Sequence, residues 1–149
     1  MIKVKIKKLC KEAKVPFKTY LKDFCYDCVA TSCEEVAPNV YKYGLGLAFE
    51  IDRGDFLKGL NMSIDFRPRS SVWKTGMVLS NSVGTVDEDY HSEVSAVFYH
   101  VMPNMPKYEV GDKIGQIKIG ITHQIDFEIV DEIKYTGRGG YGSTGLKAQ

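Results

Sequence analysis

Apolar and polar residues alternate along much of this chain. Val4 and Ile6 alternate with lysines near the N-terminus, and Ile117-Lys118-Ile119 and Ile125-Asp126-Phe127-Glu128-Ile129 repeat the pattern toward the C-terminus. A period of two marks strands with one face in a core and the other in water. Turn signals separate the runs: Pro38-Asn39, Asp52-Arg53-Gly54-Asp55, Pro103-Asn104 and Val110-Gly111-Asp112. Many short strands with frequent turns predict an all-β protein, a distorted jelly roll or β-barrel. Helix signals are sparse. One short helix is predicted from Ser70-Ser71 to Gly76-Met77, with Ser70 as its cap. The C-terminus changes character, because Gly137, Gly139, Gly140, Gly142 and Gly145 crowd together. Such a stretch buries too little to order itself, so it is expected to be a flexible tail or a loop that orders on a ligand.

Size and charge narrow the class. The 149 residues make one domain, long enough to bury about 70% of its unfolded surface without disulfides or a structural metal. Apolar residues are 44% and charged residues 26% of the chain, ordinary for a globular protein. Lys plus Arg number 20 and Asp plus Glu 19, a net charge of +1. That balance argues against a general nucleic-acid binder, which carries a basic excess. No stretch approaches the ~20 apolar residues of a membrane span, and the lysine-rich start is no secretory signal. The expected compartment is the cytoplasm, with no membrane partner. Cys25-x-x-Cys28 with Cys33 lacks the second close pair that zinc requires, so the cysteines, Cys10 included, read as reduced thiols.

Four segments carry candidate chemistry. Phe66-Arg67-Pro68-Arg69-Ser70-Ser71 puts guanidinium forks and hydroxyls at the start of the predicted helix, a natural anion site; an exposed basic turn is the equal alternative. Asn81-Ser82-Val83-Gly84 reads as a hairpin turn, with positive φ expected at Asn81 and Gly84. Val86-Asp87 follows on the return strand, where backbone N–H and C=O groups can read the edge of a planar base and Asp87 can act on a water. For Asp87-Glu88-Asp89 alone, a solvated acidic turn is the better reading. Gly111-Asp112-Lys113-Ile114-Gly115-Gln116 is a turn feeding a buried strand, with Asp112 and Lys113 as its solvated part and Gln116 as a neutral donor. The glycine-rich end, with Tyr141 among its glycines, lets backbone amides approach phosphates closely, against the alternative of a low-complexity tail.

In this order the segments resemble the motifs of the dUTPase family, across residues 23–145. Tyr26, Asp27 and Ala30 match the first motif, although Phe24 and Cys25 stand where it has small residues. Arg69-Ser70-Ser71 is similar to the second, Asn81 to Tyr90 to the third, and Gly111 to Gln116 to the fourth, with Gly115 where the family has Ala. Gly139 to Gly145 resembles the fifth, with Tyr141 in place of Phe. Two departures stand out: His91-Ser92 follows the third motif, and Thr136 replaces the usual Arg five positions before Tyr141, with Arg138 nearby.

The resemblance implies hydrolysis of dUTP to dUMP and pyrophosphate in a homotrimer with shared active sites. Its implied roles are Asp87 as the catalytic residue; Arg69, Ser70, Ser71, Asn81, Gly84, Val86, Tyr90, Gln116, Arg138, Tyr141, Gly142 and Ser143 as substrate-binding residues; Mg²⁺ as cofactor; and Asp27 as its carboxylate through water. Residues 1–136 would form the β domain and residues 137–149 a tail closing over an active site. Two alternatives stay open: a dCTP deaminase-like enzyme, and a jelly-roll scaffold or regulatory protein that binds nucleotide without turnover.

Overall fold

A computed structural model of the chain describes residues 2–54, 58–141, 143 and 145. Among the described residues ten strands follow one another: β1 (Lys3–Lys8), β2 (Tyr26–Val29), β3 (Ser32–Ala37), β4 (Val40–Gly44), β5 (Leu47–Asp52), β6 (Leu60–Arg67), β7 (Met77–Leu79), β8 (Gly84–Asp87), β9 (Ser95–His100) and β10 (Lys113–His123). They form a two-stranded sheet, β1-β5, and two four-stranded sheets ordered β2-β10-β6-β8 and β3-β4-β9-β7. Every pairing is antiparallel.

Alternation explains the packing. On β6, Met62, Ile64 and Phe66 are buried while Ser63, Asp65 and Arg67 turn outward; on β9, Ala96, Phe98 and His100 are buried. These inner rows, with Tyr43, Leu45, Leu47, Phe49 and Ile114, make one core between the sheets. Tyr43, Phe98 and Tyr108 meet edge to face, with centroids 5.6–6.2 Å apart, a favoured aromatic geometry. The Tyr43 hydroxyl donates to the Tyr108 carbonyl at 2.8 Å, so the buried phenol keeps a partner.

Three expectations change. The predicted helix is one 3₁₀ turn at Val72–Thr75, with Ser71 rather than Ser70 at its start, no side-chain cap, and Gly76 closing it at φ 62°. A β-branched residue, an aromatic and a threonine in four positions are poor material for propagation. Asn81–Gly84 does not join paired strands. β7 belongs with β9 and β8 with β6, so the segment crosses between sheets. Its positive φ falls on Ser82, at 59°. Ile125–Ile129 alternates in sequence but is no strand, and all five residues are exposed. A strand requires a partner ladder, and among the described residues none is offered.

Candidate active site

β8 lies at one edge of its sheet, and among the described residues its main chain pairs only with β6. Along that edge is a cavity of about 230 Å³ lined by Asn81, Gly84, Val86, Asp87 and Tyr90, together with residues of β7 and β9. The crossing between sheets opens it, because the chain departs from Leu79 in one layer and enters the other at Gly84. Val86 packs against the core while Asp87 points outward. The Tyr90 N–H donates to the Asp87 carbonyl at 3.1 Å, and the Tyr90 hydroxyl donates to the Glu93 carbonyl at 3.1 Å. The ring is thereby fixed at the mouth, still half exposed.

A second cavity, about 440 Å³, gathers Asp27, Arg69, Ser70, Lys113 and Gln116. Asp27 is the hub. Its main chain is bridged to Phe17, and its carboxylate accepts from Arg69 Nε at 3.0 Å and from Lys113 Nζ at 2.9 Å. Lys113 also donates to the Thr19 hydroxyl at 3.3 Å. Gln116 donates from Nε2 to the Pro68 carbonyl at 3.0 Å, which braces the turn carrying Arg69. Among the described residues the terminal guanidinium nitrogens of Arg69 make no hydrogen bond, so they remain free for an anion. Ser71 faces an adjoining hollow with Lys74 and Lys107, into which Arg69 and Lys113 also reach.

These two cavities share no residue. Register gives their separation. Asp27 and Asp87 lie on the outward face of one sheet, at opposite edges, three strands apart. Asp27 is level with Gln116 and Arg67, whereas Asp87 is level with Ser63, four residues along β6. At the usual strand spacing and rise the two acids stand about 20 Å apart. Arg138, Tyr141 and Ser143 are exposed and line neither cavity, and Gly142 lies outside the described residues.

The donor set fits a magnesium ion in one way only. Among the described residues no three His, Cys, Asp or Glu side chains gather as a cage, and both oxygens of Asp27 already accept from cations. Such a carboxylate suits a hydrated ion carried in by polyphosphate, met through water. Cys28 is a poor ligand, since burial, with the Asp27 charge beside it, pushes its thiol up to about 12.

Lys113, for which the sequence left a merely solvated turn open, clamps Asp27 at 2.9 Å. Its only signal was its place in the fourth motif. The ion pair between Arg53 and Glu88, with Nε 3.4 Å from Oε1, had no local signal at all, because the two residues lie far apart in the chain.

No model of a known protein family matches the chain. Whole-chain relatives do. The deoxyuridine 5'-triphosphate nucleotidohydrolase of Corynebacterium glutamicum is 34% identical over 150 aligned positions, covering 97% of this chain and 96% of the relative. In structure, a point mutant of the Staphylococcus bacteriophage 80alpha dUTPase with dUpNHpp superposes with a TM-score of 0.75 at 19% identity, covering 97% of this chain and 99% of that one. The dUTPase of phage phi11 of S. aureus, in a mutant form that coordinates a structural Mg(II) ion, gives a TM-score of 0.67 at 17% identity, covering 89% of this chain and 99% of that one. The likeness in sequence runs from end to end and the likeness in fold is equally complete: the chain belongs to the deoxyuridine 5'-triphosphate nucleotidohydrolase family.

Proposed function

We propose that this protein hydrolyses dUTP to dUMP and pyrophosphate. The observation that carries the reading is the cavity on the free edge of β8, with Asp87 and Tyr90 at its mouth. An edge strand presents unpaired N–H and C=O groups, and uracil offers a carbonyl–imide–carbonyl edge to match them. Asn81, Gly84 and Val86 read the base, and Gly84 keeps the approach clear because it has no Cβ. A cytosine edge sets donor against donor there, and polar sites of this kind discriminate by about 10⁴–10⁵. The Tyr90 ring lies under the deoxyribose and leaves no room for a 2′-hydroxyl.

Asp87 orients a water and takes its proton as the oxygen attacks the α-phosphorus. The bond to the bridging oxygen breaks and pyrophosphate leaves. Arg69, with Ser70, Ser71 and Gln116, binds the phosphates, and Arg69 and Arg138 offset the charge that develops on the leaving group. Asp27 would hold Mg²⁺ through water, and the ion would supply charge neutralisation at the phosphates. Residues 1–136 are the catalytic β domain. Residues 137–149 close over the site, with Tyr141 on the base and Gly142 and Ser143 near the phosphates, and exclude bulk water.

The separation of about 20 Å inferred from strand spacing supports a homotrimer with shared sites. Asp87 acts at the α-phosphorus while Arg69 grips the same triphosphate, so one chain cannot supply both. The base cavity of one copy facing the Asp27–Arg69 cavity of the next resolves this.

Incubating the protein with Mg²⁺ and each dNTP in turn, and measuring pyrophosphate and ammonia, tests the reading. Pyrophosphate from dUTP alone is expected. Ammonia from dCTP would establish a deaminase instead, and no product from any dNTP would leave a binding scaffold.

A further inference from the structure

We infer that Glu88, held in place by Arg53, is a positioning residue for Asp87. The inference rests on the reading of Asp87 as the group that aims the water.

β8 has only four residues and one neighbour. Its ladder with β6 ends at Ser63 opposite Asp87, so the strand end that carries Asp87 is the end most free to fray. Extending the register by one step would set Glu88 opposite Met62. At that step the main chain has already turned toward Tyr90, and the Glu88 side chain takes over: Oε2 accepts the Met62 N–H at 2.8 Å. The ladder thus continues by one rung through a carboxylate, and the rung lies directly beyond Asp87. A charged acceptor makes this bond stronger than the amide–carbonyl bond it replaces.

Glu88 is itself restrained. Its other oxygen, Oε1, faces Arg53 Nε at 3.4 Å. Nε and Nη2 of Arg53 are buried and make no hydrogen bond among the described residues. Among the described residues Glu88 is the carboxylate that this buried guanidinium edge meets, so each charge restrains the other. Arg53 follows β5, so a residue from a separate sheet fixes the chain on which Asp87 sits. On the far side the turn is closed by Tyr90 N–H to the Asp87 carbonyl. Asp87 therefore sits between two ties, one made by its own turn and one by Glu88. Loss of the second leaves the base cavity lined as before and lets the carboxylate wander.

The wild type, Glu88→Ala, Glu88→Gln and Arg53→Met are compared for kcat and KM with dUTP, for affinity toward non-hydrolysable dUpNHpp, and for melting temperature. Misplacement by about an ångström costs on the order of 100-fold, so Glu88→Ala should lower kcat by about 10- to 100-fold and leave dUpNHpp affinity within about threefold. Glu88→Gln keeps an oxygen for the Met62 N–H and should recover most of kcat. A wild-type kcat in Glu88→Ala, or loss of affinity in step with kcat, overturns the inference. Should Glu88→Ala fail to fold, Arg53→Met carries the same split: kcat lowered with affinity kept supports the inference, and both unchanged overturns it. If the wild type itself leaves dUTP intact, the proposed function fails instead, so the two failures are distinct.

Discussion

Gly115 shows how one residue records its neighbour. A Cβ there would land inside the Phe66 ring, and Phe66 is fully buried. The aromatic ring fills the space that the alanine of the resembled motif would occupy. Gly115→Ala should therefore destabilise the protein by about 1–3 kcal/mol through overpacking. Phe66→Leu in the same chain should return part of that loss, because the two changes share one volume. Urea unfolding midpoints of the single and double variants measure both effects. Purely additive losses would mean that the two side chains do not compete for space.

At the scale of elements, the outward face of β6 is tied to β10 by charge. Asp65 accepts from Lys118 at 2.9 Å and from the Ser63 hydroxyl at 2.8 Å, with Arg67 at 3.8 Å. Gly120 leaves room for this cluster, since a Cβ there would strike Ser63 and Asp65. Burial alone would raise the Asp65 carboxyl, but the bonds from Lys118 and Ser63, with the charges of Lys118 and Arg67, outweigh it and hold the group below its usual value. A lowered folded value means that the stabilisation is present above the unfolded pKa, near 4, and is lost as pH falls through the folded value. Asp65→Asn should accordingly melt lower than wild type at neutral pH, and the gap should close below about pH 4. A gap that stays constant down to pH 2.5 or so would show that the ion pair adds nothing to stability.

The whole molecule raises the question of where one active site ends. Opposite corners of one sheet hold Asp87 and the Asp27–Arg69 pair, and the apolar side chains of Ile125, Phe127, Ile129 and Ile133 stand exposed. The shared-site trimer proposed above would offer these side chains cover from other copies. In a shared-site trimer, Asp87→Asn and Arg69→Ala are each inactive alone. Unfolded together and refolded as a mixture, they should regain a measurable fraction of dUTP turnover, because some sites then draw both intact corners from different copies. Mixed and separately refolded samples are compared by pyrophosphate release. Activity no higher than that of either parent would place both corners in one chain's site.

The sequence by itself determined the strand-rich architecture, since alternation on β1, β6 and β10 sets which face meets the core whatever the partners are. It also determined the chemistry available at each motif: an acid at Asp87, a cation at Arg69, a hydroxyl at Ser70. Tertiary structure decided everything that depends on pairing. Ile125–Ile129 has strand periodicity but no ladder here, Val72–Thr75 stops at one 3₁₀ turn, and Asn81–Gly84 crosses between sheets instead of reversing within one. Asp27 gained two cations from distant segments, and Glu88 met Arg53 across two sheets. Local patterns encode the cost of exposing a face to water, which each residue carries with it. Partners are set by closure of the whole chain, and no stretch of sequence contains that information alone.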